Sequence, residues 1–253
     1  MKHFTYHTLS DMERQELCRR PKMDFESVME QIGPIIRDVK EKGDPAVNEW
    51  TATFDGVPPE RLVVDPAETE VKLDRATREA IDTAYENIYR FHKSQLPPPL
   101  EVETMPGVRC MRITRPIERV GLYVPGGTAV LPSTLMMLGI PASLAGCEQI
   151  LVATPPDQNG GVPDVIAYIA AKIGASGIVL AGGAQSVAAM AYGTQSVPKV
   201  DKILGPGNQY VTAAKMWLQI SDALVAIDMP AGPSEVLVIA DGSAEPAIVA
   251  ADL

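Results

Sequence analysis

From residue 119 onward, short β-branched runs break into glycine or proline corners and then into helical stretches. "RVGLYV" runs into PGG, "QILVAT" into PP, "GIVL" into AGGAQ, "KIL" into GPGN and "ALVAI" into DMPAG. Strand, corner and helix repeated in this way predict an α/β fold, a parallel sheet with helices on its faces. In that architecture ligands sit at the carboxyl ends of the strands, where these corners fall. A later run, "EVLVIAD", is followed by a last helical start at "AEPAIVAADL".

The text before residue 119 is different. "DFESVMEQIGPIIRDVKEKGD" places Val28, Ile32, Ile35, Ile36 and Val39 on one helical face, with Asp24 as N-cap and Gly43 as stop. "LDRATREAIDTAYENIYRFHKSQ" predicts a second helix with Ala80, Ile81, Ala84, Ile88 and Phe91 inward, ended by Pro97 to Pro99. "LEVETMPGVRCMRITRPI" alternates around Pro106-Gly107 as a hairpin does.

The corners hold the candidate site residues. Tyr123 projects from a strand end with a flat ring and a hydroxyl, suited to a nucleotide; a buried tyrosine with a satisfied hydroxyl is the alternative. Gly126 and Gly127 allow close approach of a ligand, and Ser133 or Thr134 can cap the helix that follows. Gln185 falls in the first turn after Gly182-Gly183, where its amide can read a ribose or a carboxamide, or simply face water. Asn208 stands at an N-cap position after Gly205-Pro206-Gly207, as a ligand contact or a plain cap. The dinucleotide fingerprint G-x-G-x-x-G is incomplete there, because Tyr210 takes the third glycine position and no acid is placed to hold a ribose. Ser234, in "IDMPAGPSE", is presented before a strand as a substrate contact or a turn residue.

Other chemistries find little support. The net charge is −10 with no Lys/Arg cluster, which disfavours a nucleic-acid partner. Cys18, Cys110 and Cys147 are odd in number and far apart, so neither a disulfide framework nor a zinc finger is expected. His3, His7 and His92 cluster with no other metal ligands, so no metal site is expected within this chain. No apolar run is long enough to span a bilayer, and the first residues lack the apolar core of a signal peptide.

Taken in order, "VGLYVPGGTAVLPST", "IPASLAGC", "VATPP", "AGGAQSVAAMAYGT", "VPKVDKILGPGNQYVTAAK" and "IDMPAGPSEVLVIAD" resemble the histidinol dehydrogenase family over residues 114–253, and more loosely before that. The resemblance implies an NAD-dependent, zinc-containing homodimer that oxidises L-histidinol to L-histidine through an enzyme-held aldehyde. It implies Tyr123, Gln185 and Asn208 as NAD contacts and Ser234 as a substrate contact. Its zinc ligands and its Glu-His acid/base pair lie beyond a segment like "VAADL", so no catalytic or metal residue is expected here. The helical start "PAIVAADL" has no stop signal after it, and the chain reads as cut and inactive alone. The implied architecture is interleaved. Residues 1–22 pack with the NAD-side domain, 23–118 form part of a second domain, 119–230 form a Rossmann-like domain, and 231–253 start the return to the second. A cytoplasmic location is expected, or a plastid after transit-segment removal. The rival readings are a non-catalytic dinucleotide-binding or dimerisation module and a related dehydrogenase of another small hydroxy compound.

Overall fold

The structure, a computed structural model, describes residues 4–19, 25–126, 130–230 and 236–252. The chain divides into two compact units, one of residues 25–230 and one of residues 1–24 with 231–253.

In the smaller unit, helix α1 (Asp11–Leu17) is closed at its start by a reciprocal capping box between Ser10 and Glu13. The "EVLVIAD" run forms no strand among described residues 236–240. Val236, Leu237 and Ile239 there are largely exposed. A strand needs a neighbour for its backbone N–H and C=O groups, and no ladder is formed with these residues.

The larger unit opens with α2 (Phe25–Lys42), which buries Val28, Ile32, Ile35, Ile36 and Val39, the face expected from the sequence. Gly43 stops it with φ at +69°, and α3 (Asp44–Asp55) follows at once. Asp24, the expected cap, lies outside the described residues. A short strand, β1 (Val63–Val64), leads to α4 (Arg75–Lys93), capped by the Asp74 carboxylate at the Thr77 N–H. On α4 the inward stripe is Ile81 with Ala84, Tyr85, Ile88 and Tyr89, whereas Ala80 and Phe91 face solvent. Strands β2 (Leu100–Met105) and β3 (Val108–Arg112) pair as the hairpin expected around Pro106-Gly107.

The sheet itself follows. Strands β4 (Arg119–Tyr123), β5 (Gln149–Thr154), β6 (Gly177–Leu180), β7 (Lys202–Leu204) and β8 (Ala226–Ile227) are parallel, and β1 pairs antiparallel at the β6 edge. Between them run α5 (Pro132–Ala145), α6 (Asp164–Ile173), α7 (Gly183–Tyr192) and α8 (Gln209–Gln219). The order is β1-β6-β5-β4-β7-β8, so the chain winds one way from β4 and then reverses through β7. This is the Rossmann-like α/β sheet expected, and its reversal lies between β4 and β7.

Alternation along β4 sorts the two faces. Val120, Leu122 and Val124 join a core with Leu135, Ile140, Ile166 and Ile173 of α5 and α6, with Ile81 of α4 beside it. Gly121 points the other way, where an added Cβ meets Met190 Sδ of α7 at 2.7 Å. Helices α2 and α3 pack on α7, and α2 also packs on α8. The sheet is thus covered on both sides, and helices from before residue 118 supply part of the cover. Ser133 and Thr134 do not cap α5; the helix starts at Pro132 after Leu131, so both residues lie inside its first turn.

Candidate functional site

Three strand-to-helix corners converge at the carboxyl end of the sheet. Tyr123 closes β4, Gln185 stands in the first turn of α7, and Asn208 caps α8. All three line one cavity of about 580 Å³. Its opposite wall comes from α2 through Gln31, Ile32 and Ile35, and from α3 through Trp50, Phe54 and Asp55.

Tyr123 is buried, and its hydroxyl accepts from the Gly183 N–H at 3.2 Å, which satisfies one open donor of the α7 N-terminus. Desolvation raises its pKa, and the nearby Asp55 carboxylate adds to that, so the phenol keeps its proton as a donor. Of the sequence alternatives, the buried tyrosine with a partner for its hydroxyl is the one seen, and Tyr123 also lines the cavity.

Gln185 is fully buried, and neither its Oε1 nor its Nε2 has a hydrogen-bond partner. A buried primary amide left bare costs about 1–3 kcal/mol. Such a group in a cavity wall is matched by a ligand that brings one donor and one acceptor. It does not face open water, as the bland reading of a first-turn glutamine would have it.

Asn208 is both cap and wall. Its Oδ1 accepts from the Tyr210 N–H at 3.0 Å and the Val211 N–H at 3.1 Å, and its amide NH₂ stays available to a ligand. The corner before it is set by a close approach. Gly205 has φ at +129°, and a Cβ there would lie 2.2 Å from the Tyr123 carbonyl oxygen. Only glycine lets β7 turn this closely past β4 at the reversal point.

An ion pair between a buried lysine and a half-buried aspartate braces that corner. The Gly205 N–H donates to Asp228 Oδ2 at 2.7 Å, and the Gly205 carbonyl accepts from Lys215 Nζ at 2.8 Å. Lys215 and Asp228 are themselves paired, so the peptide units on both sides of Gly205 are held by one ion pair. The sequence carried a signal for this: Lys215 lies four residues after Val211 and three before Leu218, on the buried face of α8. Asp55 and the stacked Trp50–Phe54 pair gave no such signal, because α3 reaches the cavity only through tertiary packing. Ser234 and Gly127 lie outside the described residues.

Among the described residues no group of three or more His, Cys, Asp or Glu could hold a metal ion. None of their helices is long and apolar enough to cross a membrane.

The sequence and fold have known counterparts. The histidinol dehydrogenase family model matches residues 18–253. The chain belongs to the histidinol dehydrogenase family. It is similar to "Histidinol dehydrogenase, chloroplastic" of Oryza sativa subsp. japonica, with 56% identity over 254 residues, covering 100% of this chain and 54% of that protein. It is similar to "Histidinol dehydrogenase" of Schizosaccharomyces pombe, with 52% identity over 97% of this chain and 56% of that protein. The crystal structure of histidinol dehydrogenase from Elizabethkingia anophelis superposes with a TM-score of 0.82 at 44% identity, over 96% of this chain and 57% of that one. The chain spans about half the length of these histidinol dehydrogenases.

Proposed function

We propose that this chain is the dinucleotide-binding part of an oxidoreductase of histidine biosynthesis, which oxidises L-histidinol to L-histidine with NAD. The observation that carries this reading is the bare amide of Gln185, buried in a cavity that Tyr123 and Asn208 share at the sheet's reversal point. The residues fit the cofactor. The cavity sits where Rossmann-like sheets take dinucleotides, the Gly205 corner leaves room for close backbone approach, and Gln185 needs paired polar contacts.

NAD supplies the hydride acceptor when bound. The chain's own residues bind and orient. Tyr123 offers a phenolic proton, Gln185 a donor and an acceptor, and Asn208 its amide NH₂. The walls from α2 and α3 exclude water from one side. Among the described residues no cluster fits the zinc ion that the family resemblance implies. By the same resemblance Ser234 contacts substrate, the assembly is a homodimer, and proton transfer and zinc binding belong to other residues than these. The 253 residues by themselves then bind NAD without turning over L-histidinol. The mature protein belongs in the cytoplasm or, as the name of the rice relative says of that protein, a chloroplast. The interleaved domain arrangement is part of the same proposal.

Titration calorimetry of the purified chain with NAD tests the reading. A saturable isotherm that weakens about tenfold or more in Gln185→Ala supports it. No heat and no thermal shift at millimolar NAD overturns it.

A further inference from the structure

A Rossmann-like sheet normally holds the adenosine ribose with an acid at the end of its second strand. That position is empty of acids here. The second strand of the winding is β5, which ends at Thr154 and runs into Pro155 and Pro156. The next acid, Asp157, is already committed: its Oδ1 accepts from the Asn159 and Gly161 N–H groups, both at 2.8 Å. It stabilises its own turn and has little capacity left for a ligand.

One carboxylate nevertheless lines the cavity. Asp55 ends α3, a helix that precedes the sheet in sequence and packs against α7. Its carboxylate lies near the Gly182 N–H, at the corner after β6, on the same side of the reversal as β5. The residue before it, Phe54, also lines the cavity and stacks on Trp50 at 5.5 Å with an interplanar angle of 18°. A flat apolar ring beside a carboxylate is the pairing that a purine and its ribose need. No Lys, Arg or His is among the described residues lining the cavity.

We propose that Asp55 is the residue that selects the dinucleotide, accepting hydrogen bonds from the free ribose hydroxyls of NAD and repelling the 2′-phosphate of NADP. This rests on the reading that the cavity binds a dinucleotide. The selection has an attractive and a repulsive part. Two ribose hydroxyls are donors and a carboxylate is acceptor-only, so they match. A 2′-phosphate brings up to two negative charges against a third, with no cation among the described lining residues to offset them. Partial desolvation raises the Asp55 pKa from its ordinary value, and the Gly182 backbone opposes that rise. Asp55 comes from outside the strand–helix repeat, so it does the work of the missing fingerprint acid from the opposite wall.

The experiment measures NAD and NADP affinity by calorimetry for the chain and for Asp55→Asn, which keeps shape but loses charge. The expected result is a preference for NAD of about 30-fold or more in the native chain. In Asp55→Asn the preference falls to about threefold or less, with weaker NAD and tighter NADP binding. A ligand-side measurement needs no variant: ADP-ribose binds the native chain at least about tenfold more tightly than 2′-phospho-ADP-ribose. NAD binding with an unchanged NAD/NADP ratio in Asp55→Asn, or equal affinity of the native chain for both, overturns the role of Asp55 alone. Absence of binding by every nucleotide overturns the dinucleotide reading itself, and Asp55 selection with it.

Discussion

Gln185 is the residue at which stability and binding pull apart. Its buried amide has no partner among the described residues. Gln185→Met keeps the volume and removes the unmet polar atoms, so it should raise stability by about 1–2 kcal/mol while weakening NAD binding about tenfold or more. Thermal denaturation and NAD titration on the same sample check this; a fall in both shows that the amide supports the fold. Gly205 behaves the other way. A Cβ at 2.2 Å from the Tyr123 carbonyl cannot be relieved by a side-chain shift, so Gly205→Ala should lose at least about 2 kcal/mol in urea unfolding. That Tyr123, Gln185 and Asn208 stand at corners was legible in the sequence because each closes a strand or opens a helix, while the ligand roles proposed for them come from the family resemblance. Asp55 was not, since its place in the cavity depends on how α3 packs on α7, which no local spacing records.

At the scale of elements, the joint between β7, α8 and β8 is the most dependent on one interaction. Lys215 and Asp228 grip the Gly205 peptide, and Lys215 is buried. Lys215→Met alone removes the partner of a half-buried carboxylate and of the Gly205 carbonyl and should cost about 1–3 kcal/mol, whereas Lys215→Met with Asp228→Leu should recover part of it. A double-mutant cycle by chemical denaturation reads the coupling. A second joint is pH-sensitive. Arg119 forms a two-point pair with Asp201 at the start of β4, with nitrogen–oxygen distances of 3.0 and 2.6 Å. The guanidinium hydrogen bond lowers the Asp201 pKa. A lowered carboxylate contributes stability above its unfolded pKa of about 3.9 and loses it as pH falls through the folded value. The pair is largely exposed, so Arg119→Gln should cost only about 0.5 kcal/mol at pH 7, and the gap to the native chain should close as acid protonates Asp201. Element legibility followed the strength of the apolar stripe. Helix α2 buries a wide one and was read correctly, while α3 buries only Ala46, Val47 and Thr51, too thin a stripe to stand out. Phe91 was read as inward on α4 because helical spacing cannot say how far along a helix the cover extends.

For the whole molecule, alternation of strands and helices announced the fold class, but not the order of strands. The neighbours β4 and β7 are far apart in sequence, and their pairing decides where the cavity lies. Ligand linkage makes that cavity visible at this scale. NAD at one hundred times its dissociation constant should add about 2.7 kcal/mol to the stability of the unit that contains it. In a thermal melt of a domain this size that is a rise of about 5–10 °C, absent in a variant that does not bind. The brace on Gly205 has a kinetic corollary. A socket whose backbone is already fastened on both sides need not rearrange to admit its guest. Mixing experiments should then show capture rates that climb in proportion to nucleotide concentration without levelling off, the behaviour of a lock that waits open.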